Sequence, residues 1–119
     1  MVTDMAEPLL PCDTPLFAMA MGDTEAEALA RTLKAVADPN RVKLLHRLIS
    51  AAPDGVCVCD LTEPLGIAQP SVSYHLRILR QAGLVERRQE RNFAYFSVRD
   101  DALRQLAALL DPTALEPTT

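Results

Sequence analysis

Three thiols are the most chemically capable side chains of this 119-residue chain: Cys12, Cys57 and Cys59, the last two in the run Val56-Cys57-Val58-Cys59-Asp60-Leu61. An odd number of cysteines does not make a disulfide framework. In a reducing compartment free thiols serve as core filler, as ligands for soft ions or as redox centres, and the Cys-x-Cys pair is open to all three. A second group offers polar contact chemistry. The run Gln69-Pro70-Ser71-Val72-Ser73-Tyr74-His75-Leu76-Arg77 sets Gln69, Ser71, Ser73, Tyr74, His75 and Arg77 around apolar positions. Gln can pair an adenine edge and Arg a guanine edge, while a short Ser reaches a phosphate or a base. Arg87, Arg88 and Arg91 crowd one short stretch and suit phosphates or a minor groove. Taken singly, an outward polar face or an arginine-rich hairpin is ordinary solvated surface; their order along the chain points to DNA. His46 reads as a packing or surface residue. No Ser/His/Asp set, Gly-rich phosphate loop or pair of catalytic carboxylates stands out, so the chain is not expected to be an enzyme.

The charge distribution supports the same reading. The net charge is −4, yet residues 69–99 carry six Arg against two Glu, while residues 1–68 carry ten acids against five bases. All the positive excess lies in one segment, and a local basic stripe matters more for DNA than the total. With 49% hydrophobic residues the chain can build one core, of Leu, Val, Ile and Ala because aromatics are only 4%. No apolar run approaches the ~18 residues that span a bilayer, and the start has no basic residue ahead of an apolar stretch. A cytoplasmic protein with no membrane partner is expected.

These residues need elements to position them. Residues 1–22 read as an acidic arm broken by Pro8, Pro11 and Pro15. The body spans 23–111, and 112–119 is a tail. Thr24 and Glu27 suggest a capping box opening a first helix, with Leu29, Leu33 and Val36 on one stripe. Asp38-Pro39 opens a second helix, with Val42, Leu45, Leu48 and Ile49 inward. A short third helix is predicted near 57–65, ahead of Gly66. A fourth starts at Gln69-Pro70, carries Val72, Leu76 and Leu79 inward, and stops before Gly83. The period then changes to alternation over 84–87 and 93–98, with a polar tip at 88–92, which predicts a hairpin. A last helix over 101–110 places Leu103, Leu106, Ala107 and Leu110 on one face. This order predicts a mainly α (α+β) fold, a winged helix-turn-helix of about five helices and a two-stranded wing.

Two stretches then resemble a known family. Val36-Ala37-Asp38-Pro39-Asn40-Arg41-Val42-Lys43-Leu44-Leu45 resembles the second-helix signature of ArsR/SmtB-type metalloregulators. The run from Gln69 through His75-Leu76-Arg77-Ile78-Leu79-Arg80-Gln81-Ala82-Gly83 to Val85 resembles their recognition helix and turn. The likeness covers about residues 24–110. It implies a homodimeric repressor of double-stranded operator DNA, joined through its first and last helices.

Cys57-Val58-Cys59-Asp60-Leu61 resembles the Cys-Val-Cys-Asp-Leu run of the arsenic-sensing branch, where a third thiolate completes a three-sulfur site for As(III) or Sb(III). One branch places that thiolate three residues after the second Cys; here the position is Thr62. The remaining thiol is Cys12, and another branch recruits ligands from such an arm. The resemblance therefore implies a site of Cys12, Cys57 and Cys59, with Cys12 from the same or the partner subunit. Three soft thiolates also suit Cd(II) or Pb(II), and a thiol-redox regulator is a further alternative. The family's other common site needs His and carboxylates on the last helix, which here has no His; Zn, Ni or Co sensing there is not expected. Within a helix, residues two apart diverge, so joint ligation by Cys57 and Cys59 would have to unwind the start of the third helix. That helix start would also favour the thiolate.

Overall fold

The computed structural model describes residues 21–112. Its elements follow the predicted order: α1 (Asp23–Val36), α2 (Pro39–Ser50), β1 (Val56–Cys57), a single 3₁₀ turn (Val58–Asp60), α3 (Thr62–Leu65), α4 (Gln69–Gln81), β2 (Val85–Glu90), β3 (Phe93–Val98) and α5 (Asp100–Leu110). Five helices and a wing form a winged helix-turn-helix. No helix among the described residues is long and apolar enough to cross a membrane.

The start of α1 differs from expectation. Gly22, not Thr24, caps it, and the Glu25 carboxylate, not that of Glu27, accepts the Gly22 N–H at 3.0 Å. Glycine has no side chain to return the bond, so only half of a capping box forms. The start of α2 is as expected. The Asp38 carboxylate accepts from the N–H groups of Asn40 (2.9 Å) and Arg41 (3.2 Å), and Pro39 occupies the first turn, where it forfeits no bond. Burial works to raise the Asp38 pKa, but the Arg41 and Asn40 amides and the neighbouring Arg41 and His75 outweigh it, so the carboxyl titrates below its usual range. A folded-state pKa below the unfolded one stabilises the fold above about pH 4, and that contribution is lost as the pH falls through the folded value. Asp38→Ala is thus expected to lower the melting temperature most at neutral pH. Melting curves at pH 7, 5 and 3 should show its gap from the parent closing below about pH 4.

The sheet has three strands rather than two, in the order β1-β3-β2, all antiparallel. β2 and β3 make the wing, paired from Val85↔Val98 to Glu90↔Phe93. Their connection is the two residues Arg91-Asn92, with Arg91 in the left-handed region at φ 59°. Positive φ matches the twist of a two-residue hairpin. The added strand, β1, pairs Val56↔Phe96 and Cys57↔Tyr95. It replaces the expected helical start at 57. Gly55 leads into it at φ +90°, where a Cβ would stand 3.1 Å from the Phe96 carbonyl oxygen. Only glycine combines that dihedral with so close an approach.

The core lies under this sheet. Leu44 and Leu48 of α2, Leu61, and Val72, Leu76 and Leu79 of α4 are buried together with Leu84, Phe96, Val98 and Ala102. The α4 stripe is as predicted. The inner face of α2 is so only in part: Leu45 and Leu48 are buried as expected, together with Leu44, whereas Val42 and Ile49 are about half exposed (51% and 49%). The apolar residues on α2 define two overlapping stripes, and packing against α4 and β3 selects the one through Leu44. On α1 the buried residues are Leu29, Thr32 and Ala35, with Leu33 exposed; on α5 they are Ala102 and Gln105, with Leu110 exposed. The expected apolar faces of α1 and α5 therefore lie partly outside the core.

Candidate nucleic-acid interface and thiol site

α3 and α4 form the helix-turn-helix. Gly66 ends α3 in the left-handed conformation (φ 70°, ψ 26°), and the chain re-enters helix at Gln69. Pro70 sits in the first turn of α4, so Gln69, Ser71, Ser73 and Tyr74 crowd the N-terminal end of this helix, and all are exposed. Arg77, one turn on, is also exposed, and its guanidinium lies 5.5 Å from the centre of the Tyr74 ring. Donors, acceptors and a cation thus share one face, the arrangement a recognition helix uses on base edges.

His75 is placed differently. It is half-buried, and its Nδ1 lies 3.0 Å from Nη1 of Arg41 on α2. A guanidinium only donates, so Nδ1 accepts and the ring proton belongs on Nε2. Arg41 also donates through Nε to the Ala35 carbonyl at 2.5 Å. One arginine therefore joins the end of α1, the start of α2 and the reading helix. Sequence reasoning identifies Asp38 as a cap but misses Arg41, because its partner is 34 residues away.

The wing carries its arginines at different levels. Arg91 is at the tip and exposed. Arg87 donates to Gln89 Oε1 (2.6 Å), and Gln89 donates to the Arg91 carbonyl (3.0 Å), which braces the tip. Arg88 reaches toward the wing base: it pairs loosely with Glu90 (3.7 Å), donates to the Asp54 carbonyl (3.4 Å) and covers the Tyr95 ring at 5.2 Å. Phe93, next to the tip and 53% exposed, is a contact candidate that the alternating strand pattern offers no reason to single out.

The thiols meet at the junction of β1 and the 3₁₀ turn. Cys57 is buried and extended (φ −72°, ψ 143°), and its Sγ accepts the Cys59 N–H at 3.4 Å; Cys59 is exposed. Cys57 is already outside a helix, so no helix start has to unwind for both sulfurs to face one ion. The hydrogen bond between the two side chains, then desolvation and the charge of Asp60, hold the Cys59 thiol above its usual pKa, where a thiolate-favouring helix start was expected. A short turn has little dipole, and its neighbours here are an acid and another thiol. Two adjacent sulfurs fit a soft ion as a chelating pair. Among the described residues no group of three or more His, Cys, Asp or Glu side chains is set to hold a metal. Cys12, the expected third donor, lies outside the described residues.

Known proteins share this architecture. A homodimeric winged helix-turn-helix DNA-binding domain from Mycobacterium bovis, a possible ArsR-family transcriptional regulator, superposes with a TM-score of 0.61 at 27% identity, over 77% of this chain and 86% of that one. An uncharacterised HTH-type transcriptional regulator of Methanocaldococcus jannaschii is 35% identical over 71% of this chain and 93% of its own length. The arsenical resistance operon repressor of Bacillus subtilis is 33% identical over 72% of this chain and 83% of that protein. The model of the bacterial regulatory protein arsR family matches residues 38–87, from the Asp38 cap through the helix-turn-helix into the wing. Fold, helix-turn-helix and sequence agree: the chain belongs to the arsR family of bacterial regulatory proteins, which are DNA-binding transcriptional regulators and not enzymes.

Proposed function

We propose that the protein is a cytoplasmic, dimeric repressor that leaves its operator when As(III) or Sb(III) is captured by Cys57 and Cys59, with Cys12 as the third thiolate. The observation that carries this reading is the pair of free thiols at the entry to the helix-turn-helix, with Cys57 Sγ against the Cys59 N–H. Arsenous acid exchanges hydroxyl groups for sulfur: each As–S bond formed releases one water, the thiol proton leaving with the hydroxyl, and no oxidant is needed. The thiols can therefore enter protonated, which suits the raised pKa of Cys59. The similarity to an arsenical resistance operon repressor supports the same inducer.

The dimer would use α1 and α5. Leu33 and Leu110 stay exposed on these helices (39% and 71%), in line with the expected apolar faces, and the solved M. bovis neighbour is a homodimer. Two copies of α4 would then enter successive major grooves about 34–36 Å apart on an imperfect palindrome.

The test is release of a labelled operator titrated with As(III), Sb(III), Cd(II), Pb(II) and Zn(II), with and without reductant. Release by As(III) or Sb(III) at the lowest concentrations, in reductant, is the expected result. Preferential release by Cd(II) or Pb(II) would assign a different inducer, and release only on oxidation would assign a redox switch. On the DNA side, Arg77→Ala is expected to cost about 1–3 kcal/mol of discrimination at one base pair. Arg91→Ala should instead weaken all sequences alike and flatten the logarithmic salt dependence by about 1. Unchanged affinity and slope for Arg91→Ala would remove the wing from the interface.

A further inference from the structure

We propose that the thiol pair acts on the wing directly, through a side-chain row across the sheet, Cys57–Tyr95–Arg88, in which Tyr95 is the positioning residue. This rests on the thiol-site reading above and adds the route by which capture at the thiols reaches the DNA.

The row is set by the strand register. Cys57 pairs with Tyr95 across β1 and β3, and Tyr95 pairs with Arg88 across β3 and β2. Paired residues stand on the same face of a sheet, with β-carbons about 4.5–5.5 Å apart. The Arg88 guanidinium completes the contact, 5.2 Å from the centre of the Tyr95 ring. Arg88 also donates to the carbonyl of Asp54, three residues ahead of Cys57. The wing therefore touches the thiol segment twice, once through the aromatic ring and once through the turn that leads into β1.

β1 is built to respond. It has two residues, lies at the edge of the sheet and follows Gly55 at φ +90°. Cys57 Sγ now accepts the Cys59 N–H. Bonding of that sulfur to an ion draws on the same lone pairs, so ligation competes with this hydrogen bond and reorients the Cys57 side chain. The neighbour it then presses on is Tyr95, and behind Tyr95 is Arg88. A cation of the wing is thereby shifted without prior movement of α4. The other path runs from the 3₁₀ turn through α3 to α4, and it makes a different prediction.

Two measurements on the full-length chain separate the paths. Binding of sodium arsenite is followed by the near-ultraviolet absorbance of As–S bonds, and amide hydrogen exchange is compared with and without arsenite. Exchange is expected to change in residues 54–59 and in both wing strands, 85–98. Tyr95→Thr, which keeps strand propensity and removes the ring, should bind arsenite with the parent's stoichiometry. Its ratio of operator affinity without and with arsenite should fall by about tenfold or more, within the usual range of coupling between sites. Tyr95→Phe keeps the ring and should keep the parent's ratio. The route is overturned if Tyr95→Thr binds arsenite and keeps the parent's ratio, or if exchange in the parent changes in 62–81 but not in the wing. Should Tyr95→Thr fail to fold, the exchange pattern of the parent decides alone. Absence of arsenite absorbance in the parent would instead overturn the thiol site itself, and the route with it.

Discussion

Replacing Cys57 and Cys59 together by serine is expected to leave operator binding in place and to raise the As(III) concentration that releases DNA by more than about 100-fold. The size follows from chelation. Once one sulfur has bound, the second is presented at a high effective concentration, which strengthens overall binding by about 10²–10⁴ over single contacts. Serine oxygen is a hard donor and does not replace a thiolate on a soft ion. Operator binding persists because neither cysteine is on the reading face: Cys57 is buried on the edge strand, whereas Gln69, Ser71, Ser73, Tyr74 and Arg77 are exposed on α4. Each single serine variant should already lose the response. Cys12→Ser should show a graded effect, since Cys57 and Cys59 remain and only the third sulfur is removed. An operator-release titration decides: if the double variant leaves DNA at the parent's As(III) concentration, the thiols are not the sensor.

The parts of the fold legible in the sequence are those written in short-range chemistry. Asp38-Pro39 announces a capped helix, and the spacing of Val72, Leu76 and Leu79 announces the buried stripe of α4. The strand β1 is not legible, because Val56–Cys57 is too short to show alternation and exists only through pairing with Phe96 and Tyr95, far along the chain. The wrong expectation for the thiols has the same origin: a helix start would favour the thiolate, whereas the real site is an extended residue followed by a tight turn. The α2 face misleads for another reason. Leu45 and Leu48 keep helical spacing with Val42 and Ile49 on one side and with Leu44 on the other, and only the partner elements decide between the stripes. The Arg41–His75 link is a contact between helices and leaves no periodic trace. Of the candidate site, residue types and the reading helix are visible in the sequence; the wing as a continuation of the thiol strand is not.

Leu76→Ala is expected to destabilise the fold by about 2–5 kcal/mol, well above the roughly 0.5 kcal/mol of an ordinary surface substitution. Leu76 is 1% exposed on the inner face of α4, in one core with Leu44 and Leu48 of α2 and with Leu61 beside the thiol turn. Truncation loses the transfer energy of the side chain and leaves a cavity that rigid helices on both sides close only in part. Against a total stability of about 5–15 kcal/mol for a domain, that loss lowers the melting temperature by roughly 10 °C or more. Function should fall with it, because the inner face of α4 fixes the angle at which Gln69 to Arg77 meet a groove. The contrast is Leu110→Ala. Leu110 is 71% exposed in the single chain, so its loss costs the isolated fold little. In the proposed dimer the same change removes buried interface, and its effect should be largest at concentrations where the parent is dimeric and shrink as protein concentration falls through the dimerisation range. Melting curves of both variants at two concentrations about a hundredfold apart separate the roles. Leu76→Ala should be lower than the parent by the same amount at each concentration, and Leu110→Ala should not. A concentration-independent Leu110→Ala would place the dimer contact away from the end of α5.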